Sequence, residues 1–221
     1  AGTADQPVGP EFLNSVEAGI KSEWLDGRLI FNASIFTYDW IDLQVFDVDA
    51  LGRPAFLNIP KTEINGIDVE VKWVPAESWF VQAGLGYLDT EIIDDGGLTT
   101  VLAGSNLNQT PEVTFNGLIV KDFQIGDGYL SLQTDFQYVD EHNSTLNGDP
   151  EGRIESAFFI NARAAYTFGN EQQYEVAVWG HNLTAEKTCY DISRNDGLTN
   201  SSACTQNPGM AFYGGSFQYE F

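Results

Sequence analysis

Hydropathy that reverses at every residue, in one stretch after another, constrains this chain more than any other feature. In "INGIDVEVKW", Ile67, Val69, Val71 and Trp73 fall on one side of an extended chain, and Asp68, Glu70 and Lys72 on the other. "WFVQAGLGYL" puts Trp79, Val81, Ala83, Leu85 and Tyr87 opposite Gln82, Gly84 and Gly86. "FFINARAAYTF" puts Phe158, Ile160, Ala162, Ala164, Tyr166 and Phe168 opposite Asn161 and Arg163. A period of two is the repeat of a β-strand and cannot give a helix one apolar face. Applied along the chain, it predicts about nine strands, near 14–24, 28–46, 62–74, 79–90, 112–123, 129–139, 155–168, 173–183 and 210–221.

The connections between these strands alternate in length. "LDG" at 25–27, "PAES" at 75–78, "GDG" at 126–128 and "NEQQ" at 170–173 are tight turns. Between them come longer polar stretches near 47–61, 91–111, 140–154 and 184–209. Short turns at one end of an antiparallel meander and long loops at the other are the plan of a membrane-spanning barrel, whereas a soluble sandwich keeps no such parity. The expected fold class is therefore all-β, an antiparallel transmembrane β-barrel segment. Its strands need only about 9–11 residues to cross a bilayer, so the segment 28–46 should project beyond it on the loop side.

Aromatic residues follow the same plan. Trp24, Trp73, Trp79, Phe168 and Tyr174 sit beside the short turns with the parity of the apolar side, as a girdle at one membrane interface would. Tyr38, Tyr87, Tyr138 and Phe212 lie toward the loops and are expected to form the opposite girdle. The polar sides would then line a wet lumen, with Asp68, Glu70, Lys72 and Arg163 as its candidate polar residues. No stretch is long and apolar enough for a transmembrane helix.

Composition excludes other classes. With 32 acids against 10 bases the net charge is −22, so a nucleic-acid partner is not expected. Aromatics at 13% argue against a disordered acidic chain. The two cysteines, Cys189 and Cys204, lie in one polar stretch without metal-ligand spacing, and a disulfide closing a surface loop is the expected pairing. Candidate catalysis is thin. Asp68 and Glu70 share a strand side with Lys72 and read as lumen lining, and His142 beside Asp140 and Glu141 reads as a solvated loop. No catalytic, cofactor or metal residue is assigned, and the chain is not expected to be an enzyme.

The stretches "NSVEAGIKSEWLDGRLIFNASIFTYDWIDLQV", "NGIDVEVKWVP", "WFVQAGLGYLDTEI", "VWGHNLT" and the terminal "GGSFQYEF", in that order, resemble the C-terminal half of a TonB-dependent outer-membrane receptor. The resemblance implies a barrel of about 22 strands, closed around an N-terminal plug domain that this chain does not contain. It implies import of a scarce ligand, commonly a ferric siderophore, energised by TonB. The alternatives are a passive porin-type channel and, more remotely, a secreted all-β binding module. The implied partners are TonB through the missing N-terminal part, the outer-membrane assembly machinery, the bilayer with its lipopolysaccharide and a small extracellular ligand, for a monomeric protein in the bacterial outer membrane. In such proteins the last strand resembles an assembly signal that ends in an aromatic residue, a role that falls here to Phe217, Tyr219 and Phe221. Where the family often has a Pro-Arg pair entering that strand, this chain has Asn207-Pro208-Gly209-Met210.

Overall fold

The computed structural model describes residues 8–48, 53–98, 100–195, 201–206 and 209–221. Nine strands form one antiparallel sheet: β1 (Phe12–Trp24), β2 (Leu29–Val48), β3 (Pro54–Trp73), β4 (Trp79–Asp94), β5 (Val113–Ile125), β6 (Gly128–Val139), β9 (Ala157–Phe168), β10 (Tyr174–His181) and β13 (Phe212–Tyr219). Each pairs with its neighbour in sequence, apart from the excursions in the loops. Two of these carry small sheets of their own: β7 (His142–Asn143) with β8 (Arg153–Ile154), and β11 (Cys189–Asn195) with β12 (Ser201–Gln206). The sheet is open, with β1 and β13 at its edges.

Register carries the side-chain alternation unbroken across the sheet. Trp24 pairs with Leu29, Leu29 with Trp73, and Trp73 with Val81. Farther along, Phe168 pairs with Tyr174, and Tyr174 with Tyr219. Directly paired residues share a face, so the apolar residues of all nine strands make one continuous surface. Val16, Ile20, Trp24, Ile35, Ile67, Leu85, Val178 and Phe217 stand exposed on it. A contiguous apolar face of this extent is not tolerated in water and marks a surface with an apolar neighbour. The short turns lie together at one end. Gly126, at φ +59°, supplies the positive φ that lets Ile125 and Gly128 pair across a two-residue connection.

Several boundaries differ from those read in sequence. The segment 47–61 is mostly strand: β2 continues to Val48 and β3 begins at Pro54, with Phe46 and Phe56 in ring contact at 5.1 Å. Pro60 obscured that pattern. It is tolerated because Asp42, the residue across from it, leaves the ladder with φ +55°. Tyr38 and Phe212 do not belong to a second girdle. Tyr38 shares the face of Asn32 and Ser34, and Phe212 pairs with His181 on the polar side, whereas Tyr87 and Tyr138 do have the apolar parity. Strand parity alone puts Tyr38 on the polar side, and there the loops fold over its end of the sheet. Ile59, Ile64, Ile92, Val101, Leu107, Leu146 and Leu43 form a buried cluster there, with Phe36, Tyr38 and Trp40 packed against it. Of the segment entering the last strand, Asn207 and Pro208 lie outside the described residues, as do the first seven residues of the chain.

Candidate functional site

The polar face is where the candidates from sequence lie, and register brings them together in two groups. Asp68, Glu70 and Lys72 lie on β3, with Asn32 of β2 directly across from Glu70. The Glu70 carboxylate accepts from Asn32 Nδ2 at 3.1 Å and pairs with Lys72 Nζ at 2.9 Å. Four strands along, Arg163 of β9 pairs with Glu175 of β10 at 2.5 Å, and Asn161 donates to Asp135 at 2.6 Å. Partly exposed pairs of this kind contribute about 0–1 kcal/mol each. They give the polar side two matched charge pairs and do not isolate an acid–base pair. A groove of about 620 Å³ runs over this face, with Glu17, Lys21, Asn32, Asp68 and Glu70 along it and Gly84 and Gly86 in its floor.

At the long-loop end the chain builds a folded cap. Leu102 N–H donates to the Leu146 carbonyl at 3.2 Å and Gln109 N–H to the Asn143 carbonyl at 2.8 Å, which ties the 95–112 loop to the 140–156 loop. The β11–β12 hairpin is closed by the disulfide Cys189–Cys204. It joins the cap through the Ser144 hydroxyl, which donates to the Ile192 carbonyl at 3.0 Å, and through Gln109 Nε2, 3.4 Å from Asp191 Oδ1. These ties leave no mark in the sequence pattern, because they are single polar contacts between segments without periodicity. The Asp95 carboxylate accepts from the backbone N–H groups of Gly97 and Ala103, which hold its pKa below the ordinary value. Glu141 is lowered likewise by the Arg153 guanidinium, which it engages at two points.

Two adjoining cavities open in this cap. The larger, about 430 Å³, is lined by Gln137, His142, Glu155, Phe159 and Tyr190 among others. The smaller, about 200 Å³, is lined by Glu112, Asp140, Glu141 and Arg153, and again by His142. His142 Nδ1 lies 3.0 Å from the Asp140 carbonyl oxygen, a local contact of the loop. His181 lies on the polar face against Trp179, with ring centroids 5.1 Å apart. No group of three metal-ligating side chains occurs among the described residues.

A third arrangement lies at the short-turn end. Phe168, Tyr174, Tyr219 and Phe221 make a ladder of rings with successive centroids 5.4, 5.2 and 4.8 Å apart. Phe217 stands 6.3 Å from Tyr174. Nearer the loops, Asn182 knots the end of β10. Its side chain donates to the Glu186 carbonyl and accepts from Glu186 N–H and the Thr184 hydroxyl, while its own N–H donates to Asn161.

Comparison with known proteins agrees with this architecture. Residues 1–183 match the family model described as "TonB dependent receptor-like, beta-barrel". Over 114 residues the chain is 26% identical to the protein named "Probable TonB-dependent siderophore receptor PiuA" of Acinetobacter baumannii, a match covering 49% of this chain and 15% of that protein. Among solved structures it superposes on the ferric yersiniabactin uptake receptor FyuA from Yersinia pestis with a TM-score of 0.74 at 15% identity, covering 95% of this chain and 30% of that one. The pyoverdine outer membrane receptor FpvA from Pseudomonas aeruginosa gives 0.70 at 17% identity, with coverages of 97% and 30%. At these identities the likeness is one of fold. The chain spans less than a third of the length of each of these relatives.

Proposed function

Because the chain belongs to the TonB-dependent receptor-like β-barrel family of bacterial outer-membrane proteins, we propose that it is the C-terminal wall of a receptor that imports a ferric siderophore with energy delivered through TonB. The observation that carries the reading is the register, which joins the apolar sides of nine strands into one surface and the polar sides into another. We assign the apolar surface to lipid and the polar one, with Asp68, Glu70, Lys72 and Arg163, to the lumen. The edges of β1 and β13 cannot face hydrocarbon unpaired, since each unsatisfied backbone group there costs several kcal/mol. Further strands of the same protein are therefore proposed to pair with them, and a plug domain outside this chain to fill the wide lumen.

The protein acts by binding and passage and performs no bond chemistry of its own. Its proposed contacts are TonB by way of the plug part, the bilayer and lipopolysaccharide around a single barrel, and the assembly machinery that reads Phe217, Tyr219 and Phe221. The test is uptake. Expressed whole in a strain without its own iron receptors, the protein should restore ferric siderophore uptake only when TonB is present. Uptake indifferent to TonB would make it a passive channel.

A further inference from the structure

We infer that the Lys121 ammonium and the apolar groove beside it hold one anionic phospholipid of the leaflet at the short-turn end, with the phosphodiester on Lys121 and an acyl chain in the groove. This rests on the reading above that the apolar face meets lipid, and adds to it a particular lipid in a particular place.

Lys121 is out of keeping with its face. Among the described residues it is the only charged one on the apolar sides of β1, β5, β6, β9, β10 and β13. The apolar sides of β2, β3 and β4 carry charge only toward the long loops, from Asp39, Glu63 and Asp89 onward. Register puts Lys121 directly across from Trp79 and from Leu132. Its Nζ lies 5.2 Å from the centre of the Trp79 ring and 5.3 Å from that of Phe123, and donates to the Glu77 carbonyl in the short turn at 3.3 Å. The side chain therefore reaches toward the turn, which carries its charge to the membrane interface, where a cation on the lipid face of a barrel costs little. Glu77 gives it a carbonyl and not a carboxylate, and among the described residues Lys121 forms no ion pair. An ammonium has three donors, so two are left for an anion arriving from the lipid side.

From Leu132, the neighbour of Lys121, a groove of about 710 Å³ runs over the apolar side toward the loops. Thr134, Ala162 and Gly180 lie across one row of it. Leu183 and Tyr213 stand over Gly180 at the loop end, where a Cβ would meet both. A free phosphate has nothing to put in such a groove. A phospholipid has the phosphodiester for the ammonium and, leading from it into the bilayer, a chain for the groove. A headgroup without a cation of its own leaves that phosphodiester charge whole for Lys121, whereas a choline competes for it.

The experiment counts lipids retained by the whole receptor, by native mass spectrometry from mild detergent, with phosphatidylglycerol and phosphatidylcholine of the same chains as probes. Lys121→Gln should weaken retention of one phosphatidylglycerol about fivefold, the worth of one lysine at an anionic surface, and leave phosphatidylcholine unchanged. Lys121→Arg should keep the wild-type value, which separates loss of the site from loss of folding, and the amount of each variant in the outer membrane is measured alongside. Ala162→Leu, which fills the groove with Lys121 in place, should weaken the same phosphatidylglycerol. Equal phosphatidylglycerol retention in the wild type and Lys121→Gln overturns the inference and leaves the lipid-facing reading standing. Unchanged retention in Ala162→Leu takes the acyl chain out of the groove. Displacement of the lipid by soluble glycerophosphate at equal concentration overturns the lipid assignment in favour of a free phosphate. A whole receptor that stays in solution without detergent and retains neither lipid overturns the membrane reading itself.

Discussion

Phe36 and Gly66 face each other across β2 and β3 on the polar side, and the ring lies flat over the glycine. A Cβ on Gly66 would fall inside the van der Waals envelope of that ring, the three nearest atoms all being Phe36 ring carbons. The ring cannot swing away freely, because it is stacked on Tyr38 at 4.9 Å and packed against the buried loop cluster. Gly66→Ala should therefore destabilise by the cost of overpacking, about 1–3 kcal/mol. Against this stands a gain of about 0.5–1 kcal/mol from removing glycine's extra freedom in a strand. The net loss is about 0–2.5 kcal/mol, centred on about 1 kcal/mol. In a Phe36→Ala background the obstructing atoms are gone, and Gly66→Ala should be neutral or stabilising by up to about 1 kcal/mol. The assay is denaturant unfolding of the assembled receptor in vesicles, comparing midpoints at constant slope for the four members of the cycle. If the two substitutions add to within about 0.5 kcal/mol, the ring-over-glycine contact is not what excludes a side chain at position 66.

Thiol labelling of unreduced, denatured protein should find neither Cys189 nor Cys204 free, and reduction should loosen the 189–206 hairpin by about 3 kcal/mol of chain entropy. Hydrogen exchange should show that loosening spreading to the 140–156 loop through the Ser144–Ile192 contact, while the main sheet stays protected. Asp95 has a lowered folded pKa, so its ordering of the 95–103 turn is complete above the ordinary carboxylate pKa of about 4 and is lost as pH falls through the folded value. Amide exchange at Gly97 and Ala103, corrected for its intrinsic pH dependence, should accelerate in that acid window, and Asp95→Asn should flatten the response. Phe221→Ala should lower the yield of receptor inserted in living cells more than it lowers the heat resistance of the receptor that does insert. A normal yield would remove the assembly role from the terminal aromatic.

The nine main strands were legible because a long stretch of each keeps a period of two, and because turn length alternates with it. The short-turn girdle was legible for the same reason, since Trp24, Trp73, Trp79, Phe168 and Tyr174 keep the parity of their strands. Legibility failed where tertiary contacts overrule the pattern. Pro60 and Asp42 break the alternation locally, so the continuation of β3 back to Pro54 has the pattern of a loop. Tyr38 has the position of an interface residue along its strand but the parity of the polar side, where the 95–112 and 140–156 loops bury hydrophobic side chains against it. The disulfide could be anticipated from two cysteines in one polar stretch. The outer cavities could not, because Phe159 comes from a strand, His142 and Glu155 from one loop and Tyr190 from another, and only the folded cap brings them together.

The central claim is that one face of this sheet meets lipid and the other meets water, and spin labels placed singly at positions 67–73 of the assembled receptor in a bilayer test it most directly. Collision with oxygen, which concentrates in hydrocarbon, should be high at 67, 69, 71 and 73. Collision with a water-soluble nickel chelate should be high at 68, 70 and 72, where Asp68, Glu70 and Lys72 now stand. Equal accessibility of both parities to the aqueous reagent would contradict the membrane-spanning wall and return the chain to a soluble β-fold.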